Sequence, residues 1–205
     1  MRSRGSVLCG VALMLAFLSA CGTKNTAVQM QPAPAQFKVR MQTTKGDVVV
    51  LVHRDWSPIG ADHFYELTKM GFYNGNRFFR CVPNFVVQWG INGDSKVNKS
   101  WSEITIKDDP PKVSNKIGTV VFAKTGEPNS RTTQLFVNIG DNSGSLDAQG
   151  FTPFGEVIQG MDNVMHIYMG YGEDPKQDAI ADIGNPYLEE HFPNLDFIKT
   201  AKIEP

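Results

Sequence analysis

The sequence predicts a mainly β domain, a barrel or sandwich, preceded by an N-terminal export segment. Three observations carry this expectation. Eight short runs have strand character, segments rich in Gly, Asn, Asp and Ser separate them, and only two stretches repeat apolar residues at helical spacing.

MRSRGSVLCGVALMLAFLSACG opens with Arg2 and Arg4, continues through an apolar run from Val7 to Leu18 and closes on Ser19 and Ala20 before Cys21. That order is the grammar of a signal peptide. The run is shorter than the roughly 20 apolar residues that a transmembrane helix needs, so a permanent span is the weaker reading. Leu18-Ser19-Ala20-Cys21 resembles the bacterial lipobox, in which the Cys is lipidated and the chain is cut just before it. An ordinary cleaved signal would leave the large Leu18 where a small residue is preferred. Acyl chains on Cys21 would tether the protein to a membrane, each buried methylene contributing about 0.8 kcal/mol. Gly22 follows, compatible with outer-membrane sorting in a host with two membranes, because the usual retention signal is an Asp there. GTKNTAVQMQPAPAQ has no apolar period and two prolines, the composition of a linker. The expected divisions are a lipoprotein signal over 1–20, the lipidated Cys21 and linker over 21–36, and a folded domain over 37–205.

Within the domain, FKVRMQT alternates Phe37, Val39 and Met41 with polar residues, the period of a strand with one buried face. Thr44-Lys45-Gly46-Asp47 supplies a turn before the β-branched run VVVLVH, so the pair reads as a hairpin. Ser57-Pro58 has helix-start chemistry, Ala61, Phe64 and Leu67 follow at helical spacing, and Gly71 is placed to end the helix. His63 lies on it and reads as a packing or surface residue, since no acidic or Cys partner is spaced beside it. Strand-like runs follow at 78–82, 85–91, 117–123, 134–139 and 153–158; MDNVMHIYM predicts a second helix from Met161 to Met169, and LDFIKTAKI a last strand.

With 20 basic and 21 acidic residues the net charge is -1, and no Lys/Arg block is present, so no nucleic-acid partner is expected. Cys81 is the one cysteine beyond the export segment, which excludes an internal disulfide framework and a clustered-Cys zinc site. Asp174, Glu189, Glu190 and His191 share no compact ligand spacing, so no metal is expected there. No heptad seam points to a multimer, and a monomer is expected.

Three motifs carry the chemistry. In FFRCVPNFVVQWGINGD, Phe78, Arg80, Pro83, Phe85, Gln88 and Gly90 match the cyclophilin pattern Phe-x-Arg-x-x-Pro-x-Phe-x-x-Gln-x-Gly. VVFAKTGEPNSRTTQLFVN resembles the second cyclophilin block in its bacterial form, through Ala123, Pro128, Asn129, Ser130, Gln134 and Phe136. LDAQGFTPFGEVIQGMDNV resembles the third, through Leu146, Asp147, Phe154, Gly155 and the Gly160-Met161 step. The resemblance covers most of residues 37–170 and implies a cyclophilin-like, eight-stranded antiparallel closed barrel with two capping helices and a peptide groove on one outer face.

It also implies peptidyl-prolyl cis-trans isomerase activity on proline-containing polypeptides, with no cofactor. By resemblance Arg80 is the catalytic arginine. Phe85, Val86, Phe136 and Leu146 match the proline pocket, and Gln88 and Gln134 match groove residues that bond the substrate backbone or hold Arg80. Ala123 and Lys124 match the short strand facing the residue before proline, and Phe151 takes a position often held by His in eukaryotic members. The chemistry suits these types: a twisted prolyl amide needs a positioned donor and an apolar seat for its ring, and no nucleophile. Val86 replaces a common Met, and Ser145 stands where many members have a Trp that helps bind cyclosporin, so weak cyclosporin binding is expected. Gly-Tyr-Gly-Glu at 170–173 and the segment 185–203 add a tail like that of some bacterial members. Two other readings stay open on sequence alone: a domain that docks prolyl segments without turnover, and a structural barrel lipoprotein whose motif Arg and Gln point into the core. The expected location is the bacterial cell envelope, lipid-anchored and facing the periplasm.

Overall fold

The computed structural model describes residues 32–204. The signal segment, Cys21 and most of the linker therefore lie outside the described residues. Eight strands form one antiparallel sheet: β1 (Gln36–Thr43), β2 (Gly46–His53), β3 (Arg80–Val82), β4 (Val86–Trp89), β5 (Thr119–Phe122), β6 (Leu135–Asn138), β7 (Pro153–Gln159) and β8 (Ile198–Ile203), in the order β3-β4-β6-β5-β7-β2-β1-β8. The expected hairpin is β1–β2, paired from Gln36↔His53 to Thr43↔Gly46. Chain order enters the fold slightly upstream of Phe37: Ala33 is buried and its N–H donates to Asp62 Oδ1 at 2.8 Å.

The sheet is a curled half-barrel and not the closed barrel expected. Its edges, β3 and β8, do not pair; the segment before β3 meets that before β8 in a single bridge, Arg77↔Phe197. The reason is local. β3 has only three residues, and its outer edge is taken by a turn from the tail, with the Cys81 N–H donating to the Gly172 carbonyl at 3.1 Å.

Six helices are found among the described residues, against the two expected: α1 (Pro58–Lys69), α2 (Ser95–Ser102), α3 (Ser143–Leu146), α4 (Met161–Met165), α5 (Gln177–Ile183) and α6 (Asn185–His191). Helix α1 buries Ala61, Phe64 and Leu67 against the sheet as its spacing predicts. Helix α4 stops at Met165, four residues short of the expected Met169, because Ile167 turns into the core and the Tyr168 N–H is drawn to Asp196 Oδ2 at 2.7 Å. The missed α2 begins on Asp94, whose carboxylate accepts from the N–H groups of Lys96 and Val97.

Strand alternation divides the core. On β4, β5 and β6, Val87, Trp89, Val120, Phe122, Leu135 and Val137 point to the main core inside the curl. The intervening Val86, Val121 and Phe136 join Leu146 in a separate cluster on the other face of the sheet. A third cluster, of Phe79, Ile91, Ile180, Leu188 and Leu195, packs α5 and α6 behind β3.

Candidate active site

The outer face of β3, β4, β6 and β5 is built by register. Arg80 lies opposite Gln88, Gln88 opposite Phe136, and Phe136 opposite Val121. Because side chains alternate along each strand, this row puts a cation, an amide and an aromatic ring side by side. Above it lies a cavity of about 430 Å³. All ten residues expected to form the catalytic and substrate-binding set, Arg80, Phe85, Val86, Gln88, Ala123, Lys124, Gln134, Phe136, Leu146 and Phe151, are on its walls. Arg80 and Gln88 thus face a surface groove, against the reading of a barrel with its motif residues turned into the core.

The cavity has a polar and an apolar part. On the polar side Arg80 Nη1 donates to Gln88 Oε1 at 3.1 Å, and Gln88 Nε2 donates to Gln134 Oε1 at 2.8 Å. The Arg80 guanidinium also lies 5.6 Å from the Phe85 ring centroid, within cation–π range. Gly90 makes the amide pairing possible: at φ 107 its backbone passes so close to residues 133–135 that any Cβ would run into the Thr133 carbonyl. That close approach explains the glycine two residues after Gln88 in the motif.

Phe136 and Phe151 meet edge-on on the apolar side, with centroids 5.8 Å apart, over Val86 and Leu146. Phe151 is held from below. Asn115 Nδ2 donates to the Phe151 carbonyl at 2.8 Å and to Asp147 Oδ1 at 2.8 Å, and the Asn115 N–H reaches the same Asp147 oxygen at 2.9 Å. Burial pushes the Asp147 carboxyl up, but the Asn115 bonds together with Ser114 and the Lys116 charge outweigh it and hold its pKa below the ordinary value. Lys124 Nζ sits 5.5 Å from the Phe151 ring, so a cation closes the rim beside the apolar seat. The Ala123 N–H donates to the Gln134 carbonyl at 2.9 Å, which ties the segment after β5 to the strand carrying Phe136. Ser145 is exposed, bonds the Asn142 carbonyl at 3.2 Å and does not line the cavity, although its neighbour Leu146 does.

Several lining residues were not anticipated: Thr125, Ser130, Thr132, Gln149 and, from the tail, Gln177. Glu173 is a further addition, with Oε1 2.6 Å from Arg80 Nε and 2.5 Å from Arg80 Nη2. Ninety-three positions separate Glu173 from Arg80, so no periodicity pairs them. The Gly-Tyr-Gly-Glu run is the only local mark of this segment. Glu189, in the tail stretch weighed for metal binding, is instead paired with Arg77 at 2.9 Å.

Residues 38–185 match the family model described as cyclophilin type peptidyl-prolyl cis-trans isomerase/CLD. A peptidyl-prolyl cis-trans isomerase of Acinetobacter baylyi is 35% identical over 139 residues, covering 66% of this chain and 73% of that protein. Peptidyl-prolyl cis-trans isomerase B of Escherichia coli is 33% identical over 155 residues, covering 69% of this chain and 94% of that protein. Among solved structures, a Cryptosporidium parvum cyclophilin type peptidyl-prolyl cis-trans isomerase is similar in fold, with a TM-score of 0.59 at 20% identity over 83% of this chain and 98% of the other. A cyclophilin from Hirschia baltica has the same TM-score of 0.59 at 16% identity, over 83% of this chain and 75% of the other.

Proposed function

The chain belongs to the cyclophilin-type peptidyl-prolyl cis-trans isomerases and is an enzyme of that activity, and from this premise we propose that Arg80 performs the catalysis beside a proline seat of Phe85, Val86, Phe136, Leu146 and Phe151. The observation that carries the reading is the cross-strand row on which Arg80 and Gln88 adjoin the Phe136 ring.

Rotation about an X-Pro bond faces a barrier of about 18–20 kcal/mol because the amide is conjugated. Twisting breaks that conjugation, and the prolyl nitrogen becomes pyramidal and basic. A guanidinium directed at that nitrogen stabilises the twisted state more than the planar one, which is the condition for catalysis. The apolar wall gains by dehydrating the pyrrolidine ring and so holds the proline while the chain before it turns. Gln134 and the backbone of Ala123 and Lys124 supply donors and acceptors for the extended substrate. Nothing in this cycle calls for bond cleavage or a cofactor.

Arg80→Ala is expected to lower kcat/KM for an X-Pro peptide by about 100-fold, the usual cost of removing one positioned donor to a developing charge. Thermal unfolding should stay within a few degrees of wild type, since Arg80 is outside the main core. Activity within threefold of wild type in a folded Arg80→Ala protein would assign catalysis to another group.

The same proposal covers the setting. The lipobox-like Leu18–Cys21 and the charged, apolar and small-residue order before it support a lipid-anchored enzyme that acts on exported chains in the cell envelope. No helix among the described residues is long and apolar enough to cross a membrane.

A further inference from the structure

We propose that Glu173 is a positioning residue for Arg80, supplied by a tail turn whose backbone is held in place independently of the ion pair. This rests on Arg80 being the catalytic group. A guanidinium has five N–H groups in one plane. Here Nε and Nη2 face Glu173 Oε1 at 2.6 and 2.5 Å, and Nη1 faces Gln88 Oε1 at 3.1 Å. With the Phe85 ring stacked at 5.6 Å, the group is gripped along one edge, at one tip and over one face. An N–H on each terminal nitrogen is left for the substrate.

The backbone that carries Glu173 is placed without help from the attraction to Arg80. Glu173 is exposed and Arg80 partly so, with side-chain exposures of 63% and 26%, and such pairs add little to stability. The turn is instead fastened by its backbone and its aromatic rings. The Gly172 carbonyl accepts from the Cys81 N–H at 3.1 Å, one residue from Arg80 on β3. The Asp174 N–H closes the turn on the Tyr171 carbonyl at 2.9 Å. Tyr171 packs edge-on against both Tyr168 and Phe192, at 5.0 and 5.1 Å. A carboxylate presented from a fastened turn removes rotamers of a long side chain before substrate arrives. That raises the fraction of enzyme in which Arg80 is aimed, and so acts on kcat.

The test compares Glu173→Ala, Glu173→Gln and the neighbouring Asp174→Asn in the folded protein, with kcat and KM separated for one X-Pro peptide. Glu173→Ala is expected to lower kcat about tenfold with KM changed less than about twofold, and Glu173→Gln, which keeps an acceptor oxygen, to recover at least about half of the loss on a logarithmic scale. Asp174→Asn removes the same charge one position away and should leave kcat unchanged. In an Arg80→Lys background, Glu173→Ala should have no further effect, which a role in stability alone would not produce. Wild-type or higher kcat in Glu173→Ala would overturn the proposal and make the carboxylate a bystander or a competitor of the substrate. The two readings fail separately: an inert Glu173 with a crippled Arg80→Ala overturns only this inference, whereas a fully active Arg80→Ala overturns the role of Arg80 itself.

Discussion

At the scale of single residues, His63 shows how burial fixes a protonation state. Its Nε2 lies 2.9 Å from the Thr132 carbonyl, so the ring is a neutral donor there, and Nδ1 is buried without a partner. Burial pushes its pKa down to about 4, with Arg131 adding to the shift and the Thr132 bond opposing it. The linkage has a definite sign. Above about pH 6.5 neither state carries the proton, and His63 leaves stability unchanged with pH. As the pH falls from about 6.5 to 4 the unfolded chain takes up a proton that the folded one refuses, and stability drops by about 3 kcal/mol. Urea midpoints at pH 7.5, 6 and 4.5 should therefore fall more steeply for wild type than for His63→Gln, which keeps a donor for Thr132; parallel curves would show that the imidazole does not titrate this way. From its lack of partners the sequence identified His63 as a packing or surface residue; burial decides for packing, and its carbonyl acceptor, 69 positions away, was invisible.

At the scale of elements, α1 illustrates a boundary and an N-cap position read correctly, with the capping bonds supplied from elsewhere. Ser57-Pro58 does open the helix, yet Ser57 makes no capping bond to the helix N–H groups. Its hydroxyl donates to Asp109 Oδ2 at 2.5 Å, and the Asp109 carboxylate accepts from the N–H groups of Ile59 and Gly60 at 3.1 and 3.0 Å. A carboxylate from a distant loop thus caps the helix, favoured there by the free N–H groups and the helix dipole. Arg131 Nη2 completes the arrangement at 3.0 Å from Asp109 Oδ2 and also donates to the Lys107 carbonyl. Burial raises the Asp109 pKa, but Ser57, the two N–H groups and Arg131 together hold it below the ordinary value. Asp109→Ala would take the nearer carboxylate from the buried Arg131 guanidinium, leaving Asp108 at 3.5 Å, and would strand two helix donors, and should cost about 3 kcal/mol in chemical denaturation. A loss under about 1 kcal/mol would mean that water replaces the carboxylate. Periodicity found α1 and most strands to within a residue or two. It missed α2, α3, α5 and α6 because short helices on a domain surface have little apolar period to read.

At the scale of the whole molecule, a half-barrel carries the groove on its outer face while the tail closes one end. The tail occupies the β3 edge through Gly172 and packs α5 and α6 on Phe79 and Ile91, which is why β8 does not complete the ring. The proposed tether belongs to the same scale, since it would decide which chains the groove meets. In the host cell, full-length protein should fractionate with membranes and take up a labelled fatty acid, and Cys21→Ser should abolish the labelling; an unlabelled wild-type chain outside the membrane fraction would reject the anchor. By itself the sequence determined the strand hairpin and, through its resemblance to the cyclophilin motifs, named ten residues that line the groove. These are written in short-range patterns and in the spacing of three motifs, because side-chain alternation is a local property of the chain. Only the tertiary structure decided that the sheet stays open, that Asp109 caps α1 and that Glu173 grips Arg80, because each joins residues 49 or more positions apart through contacts that no local period encodes.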